Sequence, residues 1–222
     1  MNRRNFLTGV VGAGLVTGVL SACATTPEEA PTAMPTLPVP DSVNPAPESG
    51  SNRVLLAYYS RPGENYYYGD RIMLDVGNTQ VVADMIAAAT SVDVYRIEAA
   101  DPYPTDYEET VTRNTAEKHT DARPAILHAL PDIEQYDSLL LGSPVWSSQA
   151  PMIMRTFVDG LDLTGKAIYP FVTFAVSGMS GVDSDYADLC PSAAIGEGLA
   201  VQGEEATAAR PDVEAWLRSI GM

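Results

Sequence analysis

Six consecutive residues, Val54-Leu55-Leu56-Ala57-Tyr58-Tyr59, carry no charge and no polar alternation. A strand with one wet face alternates apolar and polar side chains. An unbroken apolar run of this length suits a strand covered on both faces, as in a parallel sheet flanked by helices. The run stops abruptly at Ser60-Arg61-Pro62-Gly63. The chain must therefore supply two covering layers, and a polar turn leaves the buried strand at its carboxyl end.

The layers can be read further along. Val82, Met85, Ile86 and Ala89 recur at helical spacing after Thr79. Val92 to Glu98 mixes apolar residues with Asp93 and Arg96 and suits an edge strand, and Asp106 to Thr120 reads as a polar helix. Ser138 to Leu141 is a third, buried strand ending at Gly142-Ser143-Pro144. Pro151 is placed for the first turn of a helix running to about Asp159, with Gly160 as its terminator.

Ala167 to Ala175 is apolar, but Pro170 has no N–H to give to a central strand, so the hydrogen-bonded part is expected to begin near Phe171. A short helix over Asp183 to Leu189 and a glycine-containing strand over Ala194 to Val201 follow. The last helix starts at Pro211 and places Val213, Trp216, Leu217 and Ile220 at i, i+3, i+4 and i+7. Strands alternating with helices predict an α/β fold with a doubly wound, five-stranded parallel sheet. Ligands of such sheets bind at the carboxyl ends of the strands.

The expected domain spans residues 52–222. Before it, residues 1–22 hold Arg3 and Arg4, then a glycine-interrupted apolar stretch from Gly9 to Leu20. That stretch is short against the roughly 20 residues a bilayer core requires. It reads as a cleaved export signal, the alternative being a plain membrane anchor. Asn2 to Leu7 resembles a twin-arginine signal, and Leu20-Ser21-Ala22-Cys23 resembles a lipoprotein cleavage box with Cys23 as the lipidated residue. Residues 23–51 hold seven of the seventeen prolines and no apolar period, the composition of a tether. These features place the domain on a lipid anchor at the outer face of a bacterial cytoplasmic membrane, with no other membrane contact.

With Cys23 assigned to lipid, Cys190 has no disulfide partner. A buried apolar role suits it better than a redox role, since no CxxC neighbour is present. The net charge of −16 becomes more negative still once Arg3 and Arg4 are removed. Such a domain repels nucleic acid and attracts basic protein partners. His119 and His128 lack the spacing of a metal site, so no metal is expected.

Two polar segments, Ser60 to Gly63 and Gly77-Asn78-Thr79, flank a tyrosine-rich stretch containing Tyr66, Tyr67 and Tyr68. Read locally they are two ordinary turns. Read with the rest of the chain they are two halves of one anion cradle at the start of a helix, where N–H donors and the helix dipole meet. Arg61 is either a counter-charge or a solvated loop residue, and the tyrosines either cover the site or pack the excursion against the domain.

Four blocks in order, "AYYSRPGEN…VGNT", "YPTDYEE", "YDSLLLGSPVWSSQAPMIMRTFVD" and "GKAIYPFVTFAVSGMSG", resemble a flavodoxin-like domain with an insertion in its phosphate loop. The resemblance implies strand order 2-1-3-4-5 and FMN as a non-covalent cofactor. It places the phosphate against Ser60, Arg61, Gly77, Asn78 and Thr79. It places the ring against Ser143, Pro144, Val145 and Trp146 on one side and Thr173, Phe174, Ala175, Ser177 and Gly178 on the other. Trp146 would stack on the ring, or else be a core residue. Phe174, Ala175 and Val176 depart from the serine- and glycine-rich family pattern.

Since FMN carries the redox chemistry, no catalytic acid or base is required. The implied function is electron transfer between redox partner proteins. An FMN-dependent NAD(P)H:quinone-type reductase and an FMN-free tethered binding module are the alternatives.

Overall fold

The computed structural model describes residues 53–222. The expected signal, Cys23 and tether lie outside the described residues. Strand β1 (Val54–Tyr59) is buried along its whole length. With the two-residue period of a strand, Leu55, Ala57 and Tyr59 face one apolar cluster, while Val54, Leu56 and Tyr58 face another.

The second cluster is closed by helices α1 (Asn78–Ala89) and α5 (Arg210–Ser219), through Val82, Ile86, Val213, Trp216 and Leu217. The first is closed by α3 (Met152–Asp159) and α4 (Val182–Leu189), through Ile153, Phe157, Val182 and Tyr186. Helix α2 (Tyr107–His119) buries mainly polar residues, and Asp106 caps it by accepting the Glu109 N–H at 2.8 Å.

Strand β4 (Asp93–Ile97) is the edge, beside β1; then follow β5 (Ser138–Pro144) and β6 (Ala167–Phe174), all parallel. The fifth position is shared by two pieces, β7 (Ala194–Ile195) and β8 (Leu199–Gln202), both parallel to β6. In chain order of the parallel strands this is the expected 2-1-3-4-5 arrangement.

Pro170 corrects the expected start of the fourth parallel strand. It sits inside β6, opposite Leu141 of β5. Lys166 and Ile168 aim their carbonyls at the fifth strand, accepting from the Ala194 and Gly196 N–H groups at 2.9 and 2.8 Å. Pro170, two residues on, faces the same side, and there the fifth strand breaks between Ile195 and Leu199. The missing N–H is accommodated by interrupting its neighbour rather than by shortening β6.

Between β1 and α1 the chain forms an antiparallel hairpin of β2 (Gly63–Tyr67) and β3 (Asp70–Leu74). Tyr68 and Gly69 at its tip have φ of 48° and 95°, the left-handed pair that suits a two-residue hairpin turn.

Candidate functional site

The carboxyl ends of β1, β5 and β6 open into one cleft. Ser60 leaves β1 buried, and its Oγ accepts the Gln80 N–H at 3.0 Å. Gly77, which precedes α1, is so close that a Cβ there would overlap Ser60 Oγ. The two polar segments flanking the hairpin therefore meet in space.

Helix α1 gets no cap from Gly77, which precedes it, and has no acidic residue in its first turn; Ser60 takes only the Gln80 N–H. The N–H groups of a first helical turn have no acceptor within the helix, so Asn78 and Thr79 bring donors and an unopposed dipole to the cleft. The Thr79 hydroxyl is paired with that of Thr173 at 2.7 Å, which ties the start of α1 to β6.

Arg61 is not a solvated loop residue. It is only 8% exposed, and its Nη1 donates to the carbonyls of Pro104 (2.8 Å) and Thr105 (3.1 Å) while Nη2 donates to that of Glu64. No carboxylate pairs with it among the described residues, and its Nε is buried without a partner. Burial pushes its pKa down, against the pull of Tyr59 and Glu64. A cation held by carbonyls alone and lining the cleft leaves positive potential there.

The hairpin bridges the cleft. Glu64 N–H donates to Thr105 O at 2.8 Å, its carboxylate accepts the Tyr107 N–H at 3.1 Å, and the Arg71 guanidinium lies 3.7 Å over the Tyr107 ring. At the far end, Tyr68 N–H donates to Glu204 at 2.9 Å and its hydroxyl donates to Glu205, both in the 3₁₀ turn Gly203–Ala208. Tyr66 lines the cleft, whereas Tyr67 is exposed. Tyr66 thus covers the cleft and Tyr68 fastens the hairpin tip, with Tyr67 set edge-on against Tyr68.

Trp146 is half-buried on the opposite wall, edge-on to Tyr59 (5.7 Å, 86°) and Tyr103 (5.1 Å, 72°). The turn after it is strained: Ser147 and Ser148 have φ of 49° and 68°. Helix α2 holds this turn, with Asn114 Nδ2 donating to Ser147 Oγ at 3.1 Å and Lys118 Nζ to Ser147 O at 2.7 Å. Strain of this kind persists only where the surroundings enforce it.

Pro144, Val145, Trp146, Thr173, Phe174 and Ala175 join Ser60, Arg61, Asn78 and Thr79 in lining the cleft, with Gly77 behind them. Ser143 does not line it; the residue is buried and faces the Tyr186 phenol, whose pKa burial pushes up. Ser177 and Gly178 lie beyond the lining residues. The Val145 and Trp146 N–H groups are already spent on Thr173 O and Gln149 O, both at 2.8 Å, which leaves neither free to donate to a ring.

Asn65, Tyr107, Gly203 and Glu204 also line the cleft and were not anticipated. Tyr107 falls in the block "YPTDYEE" and had a signal; Glu204 had none, since only the folded chain returns it to α1.

The flavodoxin family model matches residues 73–220. This chain belongs to the flavodoxin family. The match begins inside the hairpin, so β1 and Ser60 precede it. No curated protein matches the chain in sequence.

Among solved structures, a protein described as a candidate flavoprotein from Bacteroides eggerthii DSM 20697 is 27% identical, covering 78% of this chain and 99% of its own, with a TM-score of 0.63. A similarly described protein from Bacteroides uniformis ATCC 8492 is 25% identical over 76% and 99%, with a TM-score of 0.61. The fold is also that of a flavoprotein in complex with FMN from Lactobacillus acidophilus NCFM, at 19% identity over 70% and 96%, with a TM-score of 0.54.

FMN is the cofactor of the family, and the residues present fit it. A helix start with free N–H groups at Asn78 and Thr79, a buried serine and an uncompensated guanidinium share one cleft with an indole.

Proposed function

We propose that this flavodoxin holds FMN in the cleft between the hairpin and Trp146 and carries electrons between redox partner proteins. The observation that carries the reading is the convergence of Ser60 with the start of α1 beside buried Arg61. That arrangement offers a phosphate donors, a dipole end and a charge at one place. In a chain of net charge −16 it is a local reversal of sign.

Bound FMN supplies the one- or two-electron chemistry. The protein's residues bind, orient and shield it. Ser60 and the Asn78 and Thr79 N–H groups hold the phosphate, with Arg61 as a nearby fixed charge. Trp146 offers an apolar face whose stacking adds about 0.5–1.5 kcal/mol beyond the area buried. The hairpin covers the phosphate end.

The cleft is narrow, about 90 Å³, below the roughly 300 Å³ at which small-molecule pockets begin. FMN entry therefore requires the hairpin or the loop after β6 to give way. Oxidised and reduced flavin would both lie in a negative outer field, which disfavours added electrons and lowers the potential.

Basic proteins are the proposed partners on the same electrostatic ground. The N-terminal segment is the basis for proposing a lipid anchor at Cys23 and a location outside the cytoplasm.

The test is to express the domain from Asn52 onward and titrate it with FMN. The proposal expects a yellow protein with stoichiometric FMN, a midpoint potential below that of free FMN, and no NAD(P)H oxidation without an added reductase. A colourless protein that ignores FMN refutes it, and turnover with NAD(P)H alone turns the reading to a reductase.

A further inference from the structure

Trp146 meets two buried tyrosines, and only one of them is equipped to lose a proton. Its ring lies 5.1 Å from that of Tyr103 and 5.7 Å from that of Tyr59, edge-on to both. The Tyr103 hydroxyl donates to Oε2 of buried Glu117 at 2.7 Å, while Glu117 Oε1 accepts from Arg113 Nε at 2.8 Å. Tyr59 makes no hydrogen bond to a carboxylate among the described residues. We propose that Trp146, Tyr103 and Glu117 form a relay that carries a one-electron oxidising equivalent out of the cleft and leaves it on Tyr103 as a neutral tyrosyl radical.

The step balances within three side chains. A one-electron oxidant in the cleft removes an electron from the Trp146 indole. Tyr103 returns one electron to the indole, and its phenolic proton moves along the existing hydrogen bond to the Glu117 carboxylate, which becomes a carboxylic acid. The indole is restored and the tyrosine is oxidised. An electron from a reductant in solution, with the proton returning from Glu117, resets the relay.

Arg113 ties the electron to the proton. Its guanidinium lies 4.0 Å over the Tyr103 ring and is paired with Asp101 at 3.1 Å. A positive charge there opposes the ring cation that electron loss without proton loss would create. Burial, and then the hydrogen bond to Glu117, push the Tyr103 phenol up, so the proton is still on oxygen when the electron leaves.

Packing accounts for the three rings but not for the ions beside them. An apolar pair of similar volume would fill the space without the desolvation cost of Glu117 and Arg113. Those two residues also line an open cavity of about 530 Å³ with Asp101 and Ala122, none of which lines the cleft. The resetting electron therefore has a solvent-facing entry of its own.

The relay stands on the chain's own side chains; only its service to the cofactor rests on the FMN reading above. Full-length protein, without and with FMN, is flashed in the presence of tris(bipyridyl)ruthenium with persulfate as electron sink, and indole and tyrosyl radicals are followed by transient absorption. The expected result is decay of the indole radical matched by growth of the tyrosyl radical, slowed about twofold in heavy water because a proton moves in the same step.

Trp146→Phe should remove this coupled decay and growth. Tyr103→Phe, which keeps the ring and the Glu117–Arg113 pair, and Glu117→Gln should each prolong the indole radical at least tenfold, since a positioned base contributes about 100-fold or more to a proton transfer. Tyr59→Phe, at nearly the same distance from the indole, should change it less than twofold. Under continuous illumination, mass spectrometry should find oxidised Trp146 at least threefold more abundant in Tyr103→Phe.

No solvent isotope effect, an equal effect of Tyr59→Phe, or an indole radical unchanged in Tyr103→Phe each overturns the proposal. If the protein ignores FMN yet the radicals behave as expected, the relay stands and the electron-carrier reading falls. If FMN binds and Tyr103→Phe changes nothing, the carrier reading stands and the relay falls.

Discussion

The two walls of the cleft are built by opposite means. At the end proposed for the phosphate, Ser60, Gly77 and Thr79 are buried and locked by direct contact between β1, α1 and β6. At the end proposed for the ring, Trp146 sits on a turn of two left-handed serines that α2 pins from outside, and Val176 beyond β6 is 80% exposed. One wall is part of the core; the other is a loop kept in shape by a neighbour. The first should tolerate change poorly and the second should be adjustable.

Gly77→Ala tests the rigid wall most severely. The added Cβ overlaps Ser60 Oγ, and the Arg61 carbonyl stands close behind it. Forcing them apart should cost about 1–3 kcal/mol of stability and lower FMN affinity by roughly 100-fold, read by thermal melting and flavin titration. A variant that binds FMN normally would show the wall to be as pliant as the other.

Arg61→Met keeps bulk and removes charge. Interactions with a charged partner contribute about 1.5–3 kcal/mol. FMN should therefore lose at least tenfold in affinity while riboflavin, lacking the phosphate, changes little. Equal losses would assign Arg61 to holding the hairpin through Pro104, Thr105 and Glu64 rather than to the anion.

On the adjustable wall, Ser148→Gly should stabilise the fold. Relief of the left-handed backbone is worth on the order of 1 kcal/mol, and the melting temperature should rise a few degrees with FMN affinity altered less than threefold. A fall in melting temperature would mean that the Ser148 side chain matters more than its backbone strain.

The smallest effect belongs to the hairpin tip. The hydrogen bond to Glu205 pushes the Tyr68 phenol up to about 12 from an ordinary 10. A pKa raised by folding favours the protonated form. The fastening is therefore complete below about pH 10 and is lost as pH rises through 12. FMN release should accelerate across that window, and Tyr68→Phe should remove this alkaline step while leaving stability at neutral pH nearly unchanged.

The layering was legible because burial writes itself into the sequence. The six apolar residues of β1, Pro151 at the start of α3 and the i, i+3, i+4, i+7 pattern of α5 each reflect a local rule. The hairpin was not legible, because Glu64 to Tyr67 and Asp70 to Met73 pack onto no core and show no apolar alternation. Pro170 misled for a related reason: the rule against proline in a central strand assumes an intact neighbour on both sides.

At the cleft, hydroxyls and glycines at strand ends marked the wall to which we assign the phosphate. Glu204 and Asn114 were invisible, since their relevance arises only when distant segments are brought together.

The interruption opposite Pro170 also bears on how the domain keeps to itself. An outer strand that stops after two residues and resumes after three presents no long row of free amides to which another polypeptide could add. The imino acid that spoils one ladder thereby guards that side of the sheet against strand addition.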